Sequence, residues 1–518
     1  MPAKDGSPRA QNWKKMKRRR KDKGPRGPLR WSAHWLHFFL MRLFENLGDA
    51  HEVFSRFVQQ PRQLRWGSAC SGTESPAWVF AALASLSEDP AMTFDHIYGA
   101  EWEHKKREWI LNEARPRFLF KDIFDVTRRR AFDYASQEYV DPKTACHEQP
   151  TDIFIAGFSC KTVSALSNDT DARRRSIDDY VGSTGLTFWG VIMILQMTKP
   201  LAFILENVEG LMRHSLHLVI LERLRSLGYC VVWRLCDALE VGIPHHRPRI
   251  WFCGWLAEKL PDVPAFQARM ESAMLSLFDN HPKTDLDEFL LPEDHEVFFA
   301  EDRVLREEKA VRKHGGKSGT KWIEYQREKF AKQGLSQSTT HWRPELAETY
   351  PEYTSLPERM RLMLDRRGIR FPEPSALVVR LDQSEAGIGR DQVPCVTPHG
   401  TYWAAHQCRL LTGWECMALQ GFHLPEDYMQ RYSSAFLQDL AGNAFNIGNC
   451  AVFVVLALLG LGDAQRERDV VDEPAAAVDR HFGFNPAVAT DSEEEPPSDC
   501  DDADCDWPYR GEAYDPAD

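Results

Sequence analysis

No two of the twelve cysteines are spaced Cys-x-x-Cys, so neither a metal site nor a disulfide framework is indicated. Several, among them Cys230, Cys253 and Cys450, sit in apolar segments, and reduced thiols in a nuclear or cytosolic compartment are the default expectation. Apolar runs are short. None reaches the roughly 20 residues that span a bilayer, and the longest, around 450–462, reads as a buried helix. The N-terminus has no apolar signal region, so nothing points to secretion. Internal repeats are absent, which argues against a solenoid or propeller. Positive charge is in deficit too, with a formal net charge of -12 at pH 7.

That deficit is unevenly spread. Residues 1–30 hold twelve Lys or Arg against two acids, including the run Lys17-Arg18-Arg19-Arg20-Lys21. The segment 491–518 holds twelve acids against Arg510. Neither end has a periodic apolar face, so 1–30 is expected to be a basic disordered tail and 466–518 an acidic one. The basic end suits a nuclear-import signal or a nucleic-acid arm, and equally a merely solvated tail. The body between the tails stays acidic, so any nucleic-acid cleft must be a local basic surface.

From 60 to 255, short apolar runs alternate with amphipathic stretches. Strands are expected at Leu64–Gly67, His96–Ala100, Ile153–Ala156 and Phe203–Leu205. Helices are expected at Pro76–Leu86, Glu103–Asn112, Leu186–Met197 and Leu216–Leu227. Such alternation predicts an open α/β sheet with helices on both faces, binding ligands at the carboxyl ends of its strands. Regularity dissolves over 256–395 and resumes over 400–465. The expected plan is therefore a core in two parts with a second domain inserted between them.

Three motifs carry chemistry. In Thr151-Asp-Ile-Phe-Ile-Ala-Gly-Phe-Ser-Cys160, a strand runs into a glycine and then a thiol, which places the sulfur at the sheet's rim. A nearby charge would favour its thiolate; alone, such a cysteine is more often an inert core residue. Phe203-Ile-Leu-Glu206-Asn207-Val208 puts a carboxylate directly after apolar residues. Burial would raise its pKa and suit a proton donor, although a helix cap or structural ion pair reads the same. In His245-His246-Arg247-Pro248-Arg249, the two arginines alternate on a strand and can converge on one anion, as would a surface ladder.

Together these pieces resemble the DNA (cytosine-5) methyltransferase family. Its Gly-Phe-Pro-Cys-Gln-x-x-Ser appears as Gly157-Phe158-Ser159-Cys160-Lys161-x-x-Ser164, its Glu-Asn-Val as Glu206-Asn207-Val208, and its Gln-x-Arg-x-Arg as His245-x-Arg247-x-Arg249. Further blocks are Arg409-Leu410-Leu411-Thr412 with Glu415 and Gln420-Gly421-Phe422, then Gly442-Asn443 before an apolar helix. The resemblance implies a Rossmann-like class I S-adenosylmethionine-dependent methyltransferase core with an inserted, smaller target-recognition domain. It also implies S-adenosyl-L-methionine as cofactor and double-stranded DNA as partner. Cys160 would be the nucleophile, with Glu206, Arg247 and Arg249 as catalytic residues. Nuclear location, and chromatin or recruitment partners reached through the tails, are expectations of the same kind.

The cofactor half departs most. The family's Phe-x-Gly-x-Gly-Gly becomes Cys70-Ser71-Gly72-Thr73-Glu74-Ser75, keeping Gly72. Ser71 and Gly72 would form the turn against the methionine moiety. Glu101 would hold the ribose hydroxyls, Trp102 cover the adenine, Asp122-Ile123 contact it, and Asn443-Ala444 close the pocket. Ser159 replaces a stiffening proline, and His245 replaces a glutamine. Lys161 places a cation beside the thiol, which would lower its pKa. Lys161 and Ser164 are expected at the DNA, along with Lys313, Lys317 and Lys321 from the basic stretch that also holds Trp322, Tyr325 and Phe330. A solvated helix pair with core aromatics is the other reading of that stretch. A tRNA-methylating branch of the family carries Cys-Phe-Thr in its recognition domain. That triplet is absent here, which favours DNA. A catalytically silent DNA-binding scaffold on this fold would be marked by loss of Cys160 or Glu206, and both are present.

Overall fold

The computed structural model describes residues 30–86, 92–147, 151–160, 182–292, 295–298, 317–334, 352–353, 356–369, 373–383 and 387–471. At its centre lie strands β1 (Arg62–Ala69), β2 (Met92–Ala100), β3 (Phe118–Phe120), β4 (Ile153–Ala156), β5 (Ala202–Val208), β6 (Tyr229–Cys236) and β7 (Arg249–Leu256). They form one sheet in the order β3-β2-β1-β4-β5-β7-β6. The first five are parallel, and β7 runs antiparallel between β5 and β6. β4 and the first half of β5 are buried throughout, as strands covered on both faces must be. Strand order reverses between β1 and β4, where an open sheet of this kind leaves a crevice for ligands. The fold is the α/β, Rossmann-like one expected.

One apolar layer packs α1 (Trp35–Asn46), α2 (His51–Val58), α3 (Ser75–Ala84), α7 (Val263–Leu277), α11 (Ser434–Asn443) and α12 (Ile447–Val471) on the sheet. The other packs α5 (Gly182–Thr198) and α6 (Leu216–Ser226). α4 (His104–Glu113) follows β2 and buries Trp109 and Ile110. The apolar part of α12 is long enough to cross a membrane by composition alone, yet that stretch is wholly buried in protein. It is the core helix that the 450–462 run implied.

The domain borders need correcting. α1 and α2 lie before residue 60, and α7 with Leu286, Phe289 and Leu291 lies after 256, yet all join the main core. An amphipathic helix carries the same pattern whichever core receives its apolar face, so sequence alone misassigns α7. The small unit is a four-stranded antiparallel sheet of β8 (Leu377–Arg380), β9 (Gly387–Arg390), β10 (Tyr402–Ala404) and β11 (Arg409–Leu410), ordered β9-β8-β10-β11. Its own core joins Tyr353, Met360, Met363 and Leu364, from and around α9 (Glu358–Arg366), to Val379 and Trp403. That sheet continues well past residue 395.

Candidate active site

Cys160 lies four residues past the end of β4. Phe158 is buried against Phe188 of α5, with ring centroids 5.3 Å apart. Asn207 Nδ2 donates to the Phe158 carbonyl at 2.8 Å, and the Ser159 amide donates to Thr187 Oγ1 at 2.9 Å. The loop is thus pinned by β5 and α5, and the half-buried thiol stands at the carboxyl end of the sheet. Burial pushes Cys160 above the ordinary thiol range, against the opposing pull of Arg249. The cations that favour its thiolate are Arg249 and Arg247; Lys161, expected in that role, lies outside the described residues.

Glu206 projects from β5 and is 8% exposed. On β7, Trp251 lies opposite Glu206 and Arg249 opposite Val208, so Arg249 is the diagonal neighbour on the same face. Arg249 Nε meets Glu206 Oε1 at 3.0 Å. Burial lifts the Glu206 carboxyl above its usual range, and the two arginines pull it back.

Arg247 makes no hydrogen bond to Glu206; the two arginines converge instead on the Cys395 sulfur, 3.9 Å from Arg247 Nη1 and 3.9 Å from Arg249 Nη2. Arg247 lies outside β7, and its guanidinium donates to the carbonyls of Val396 (2.8 Å), Ala444 (2.8 Å) and Gly442 (3.1 Å). It is a buried staple, 2% exposed, joining three distant segments. His245 does similar work. Val396 N–H donates to Nε2 at 3.0 Å and Nδ1 sits 3.1 Å from the Leu419 carbonyl, which puts the ring proton on Nδ1. Burial first, then both arginines, holds this histidine well below its usual range, so it is neutral.

At the other end of the sheet's rim, Gly72 takes a φ of 64°, and a Cβ there would meet the Asn443 carbonyl at 3.2 Å. The turn therefore packs directly on Asn443, bringing the first and last motifs together. Ser71 is buried. Glu101 follows β2, is buried, and accepts from the Glu103 amide at 3.0 Å; burial raises its pKa. Trp102 is 60% exposed, with Lys121 5.0 Å from its ring. Asp122 caps the turn 123–127, accepting from Phe124 N at 3.1 Å. Ile123 faces Gly190 of α5, while the Ala444 carbonyl is taken by Arg247. A glycine turn, a buried carboxylate, a capping aspartate and an open indole fit the demands of a nucleoside carrying a charged amino-acid tail.

Two site residues escaped the sequence reading. Glu74, at a glycine position of the family pattern, has φ 55°, a conformation glycine adopts freely. It is fully buried, accepts from Ser68 Oγ at 2.6 Å, and is lifted to about 7 by burial. Its place in the motif was the available signal. Cys395 lies against Arg247 and Arg249; Cys395-Val396-Thr397 matches the Cys-Phe-Thr triplet at its first and third residues. Of the expected DNA contacts, Lys321 is exposed on α8 (Lys317–Lys332), and Lys317 opens the same helix. Phe330 is buried and Arg327 reaches Glu358 of α9 at 2.5 Å, so one side of α8 serves packing. Lys161, Ser164 and Lys313 lie outside the described residues.

The profile described as C-5 cytosine-specific DNA methylase matches residues 91–453. The chain is 26% identical over 412 residues to the DNA (cytosine-5-)-methyltransferase DMT5 of Cryptococcus neoformans, covering 74% of this chain and 16% of that protein. It is 35% identical over 149 residues to the type II methyltransferase M.NgoBV of Neisseria gonorrhoeae, covering 27% of this chain and 33% of that protein. For the type II methyltransferase M.BanI of Aneurinibacillus aneurinilyticus the identity is 23% over 389 residues, covering 62% and 85%. The chain thus spans a third or less of the first two relatives' length.

Proposed function

Because the chain belongs to the C-5 cytosine-specific DNA methylase family, we propose that it methylates C5 of cytosine in DNA, with Cys160 as nucleophile. One observation carries this reading. Cys160, Glu206 and Arg249, distant in sequence, meet at one end of β4, β5 and β7, on the same rim as the Gly72–Glu101–Asp122 turn set.

C5 of cytosine is a poor nucleophile until the ring is activated. The Cys160 thiolate adds to C6, and electron density moves to C5. Glu206 holds N3 and the exocyclic amine, and its raised pKa favours the protonated form that stabilises charge gathering on the ring. Arg249 orients Glu206, and Arg247 braces the floor beneath both. S-adenosylmethionine, held by Ser71, Gly72, Glu101, Trp102, Asp122 and Asn443, supplies the electrophilic methyl group when bound. Loss of the C5 proton to a base, with departure of the sulfur from C6, restores the ring and the thiolate. C6 is out of reach inside a duplex, so the base must leave the stack.

Cytosine-5 methylation is tested by covalent trapping. Duplex DNA containing 5-fluorocytosine forms a denaturation-resistant adduct in the presence of S-adenosylmethionine, since fluorine cannot leave as a proton. Cys160→Ala abolishes it. Turnover without any adduct would refute the covalent route. A transfer RNA is assayed beside DNA, because Cys395-Val396-Thr397 lies near the RNA branch's triplet; methylation of RNA alone would reverse the substrate assignment.

Duplex contact is assigned to the small unit and its basic stretch. Neutralising Lys313, Lys317 and Lys321 flattens the salt dependence of DNA binding by roughly one log-log unit per lost phosphate contact. An unchanged slope places the duplex elsewhere. Action in the nucleus, with chromatin partners met through the charged tails, completes the proposal, and imaging of the tagged full chain with and without residues 1–30 checks it.

A further inference from the structure

The segment 393–397 leaves β9 of the small unit and crosses Arg247 and Arg249 as a strap. Val393 exchanges backbone hydrogen bonds with the motif, its N–H to the Pro244 carbonyl (2.8 Å) and its carbonyl from His246 N–H (2.9 Å). Val396 joins His245 and Arg247 on its two backbone groups. The Cys395 carbonyl accepts from Tyr402 Oη at 2.8 Å and Arg380 Nη1 at 3.3 Å. These contacts fix the sulfur of Cys395, which lies 3.9 Å from Arg247 Nη1, 3.9 Å from Arg249 Nη2 and 4.0 Å from Arg249 Nη1.

Arg249 is thereby held by the Glu206 carboxylate on Nε, by the Pro248 carbonyl on Nη1 at 2.8 Å, and by the sulfur, which alone reaches Nη2 among the described residues. Without the sulfur, Nη2 loses its acceptor and the guanidinium is left with Glu206 and the carbonyl of its own chain neighbour. We propose that Cys395 is a positioning residue of the methyl-transfer site, a sulfur acceptor delivered by the small unit that sets Arg249 against Glu206. The inference rests on the methyl-transfer reading above. It makes the strap the link through which the small unit's seating on the core governs catalytic geometry.

Charge agrees with the geometry. Arg249, Arg247 and Arg380 face the sulfur, Glu206 and Asp382 being their acidic partners, and the arginines outweigh burial to bring this thiol below its ordinary range. Cys160, by contrast, stands above it.

The test compares Cys395→Ser and Cys395→Ala in the full chain. A hydroxyl still accepts from a guanidinium, whereas a methyl group cannot. Turnover on duplex DNA falls about three-fold in the serine variant and ten-fold or more in the alanine variant, with KM for DNA and S-adenosylmethionine affinity within two-fold of wild type. A sulfur that merely packs gives the opposite order, since alanine is the better apolar replacement. That order, or turnover within two-fold of wild type in the alanine variant, overturns the proposal. Weakened S-adenosylmethionine binding in both variants also overturns it, because the sulfur then supports the fold at large.

A second readout needs no turnover. Iodoacetamide labelling of Cys395 across pH, followed by peptide mass spectrometry, titrates the thiol, which ionises below the ordinary value of about 8.5. An ordinary or higher value overturns the contact. If wild type gives neither methylation nor a 5-fluorocytosine adduct, the methyl-transfer reading fails by itself, and the titration alone decides the sulfur's role.

Discussion

Glu415 and Glu206 are both buried and both face an arginine, yet their carboxylates are satisfied very differently. Glu415, in α10 (Gly413–Ala418), accepts from Arg409 Nη2 at 2.6 Å and Nη1 at 3.0 Å. It also takes the Leu291 and Thr412 amides and the Thr412 hydroxyl. Glu206 has one ion contact among the described residues, Arg249 Nε at 3.0 Å. A buried charge is tolerable when its lone pairs are filled and costly when they are not. The first pair fastens the last strand of the small sheet to α10 and to residue 291 of the core. On the proposed reading, the second keeps acceptor capacity in reserve, at a cost in stability, for the base that it is to hold.

That contrast predicts opposite outcomes for one substitution. Glu206→Gln lowers turnover by about 10²–10³-fold, the scale of removing one transition-state stabilising group, while the protein stays folded. Glu415→Gln destabilises by about 3–5 kcal/mol, as breaking one side of a buried pair does. Denaturant unfolding with parallel methyl-transfer assays reads both. If Glu206→Gln unfolds the chain as readily as Glu415→Gln, the distinction is wrong.

Glu101 sharpens the comparison from between these extremes. It is buried like Glu415 but meets the Glu103 and Gly72 amides and the charge of Lys106 rather than a guanidinium fork. Glu101→Ala is expected to weaken S-adenosylmethionine binding by about 1–3 kcal/mol, the loss of a buried acceptor for hydroxyl groups. An unchanged dissociation constant by calorimetry would move the ribose site elsewhere.

Much of this was readable beforehand, for a physical reason. Parallel strands buried on both faces announce themselves as short apolar runs, so β1, β2, β4 and β5 were legible, as were Cys160 and Glu206 at their ends. The staple role of Arg247 was not. Alternation places two side chains on one face only while the strand lasts, and the described strand begins at Arg249. Likewise α7 carries an apolar face without saying which core receives it. Cys395 had only the partial triplet Cys395-Val396-Thr397 as a local signal, because its chemistry comes from arginines about 150 residues away. Glu74 offered a clue of another kind, a bulky acid where the backbone takes a glycine conformation.

The smallest expected effect tests the reserve at Glu206 directly. Burial raises its folded-state pKa, with Arg249 opposing, so the folded chain holds this proton more tightly than the unfolded chain does. Below the ordinary glutamate value of about 4.3, both states are protonated and the contribution of this group to stability is fully present. As pH rises through the raised folded value, the unfolded chain ionises freely while the folded one must place a charge in a buried site, so that contribution is lost. Glutamine has no proton to lose. Stability of Glu206→Gln relative to wild type should therefore climb as pH rises from about 4 and level off above the folded pKa. Urea unfolding of both proteins at several pH values gives that difference curve. A curve that falls with rising pH would mean that Arg249 fully compensates Glu206, making it a structural pair like the one at Glu415.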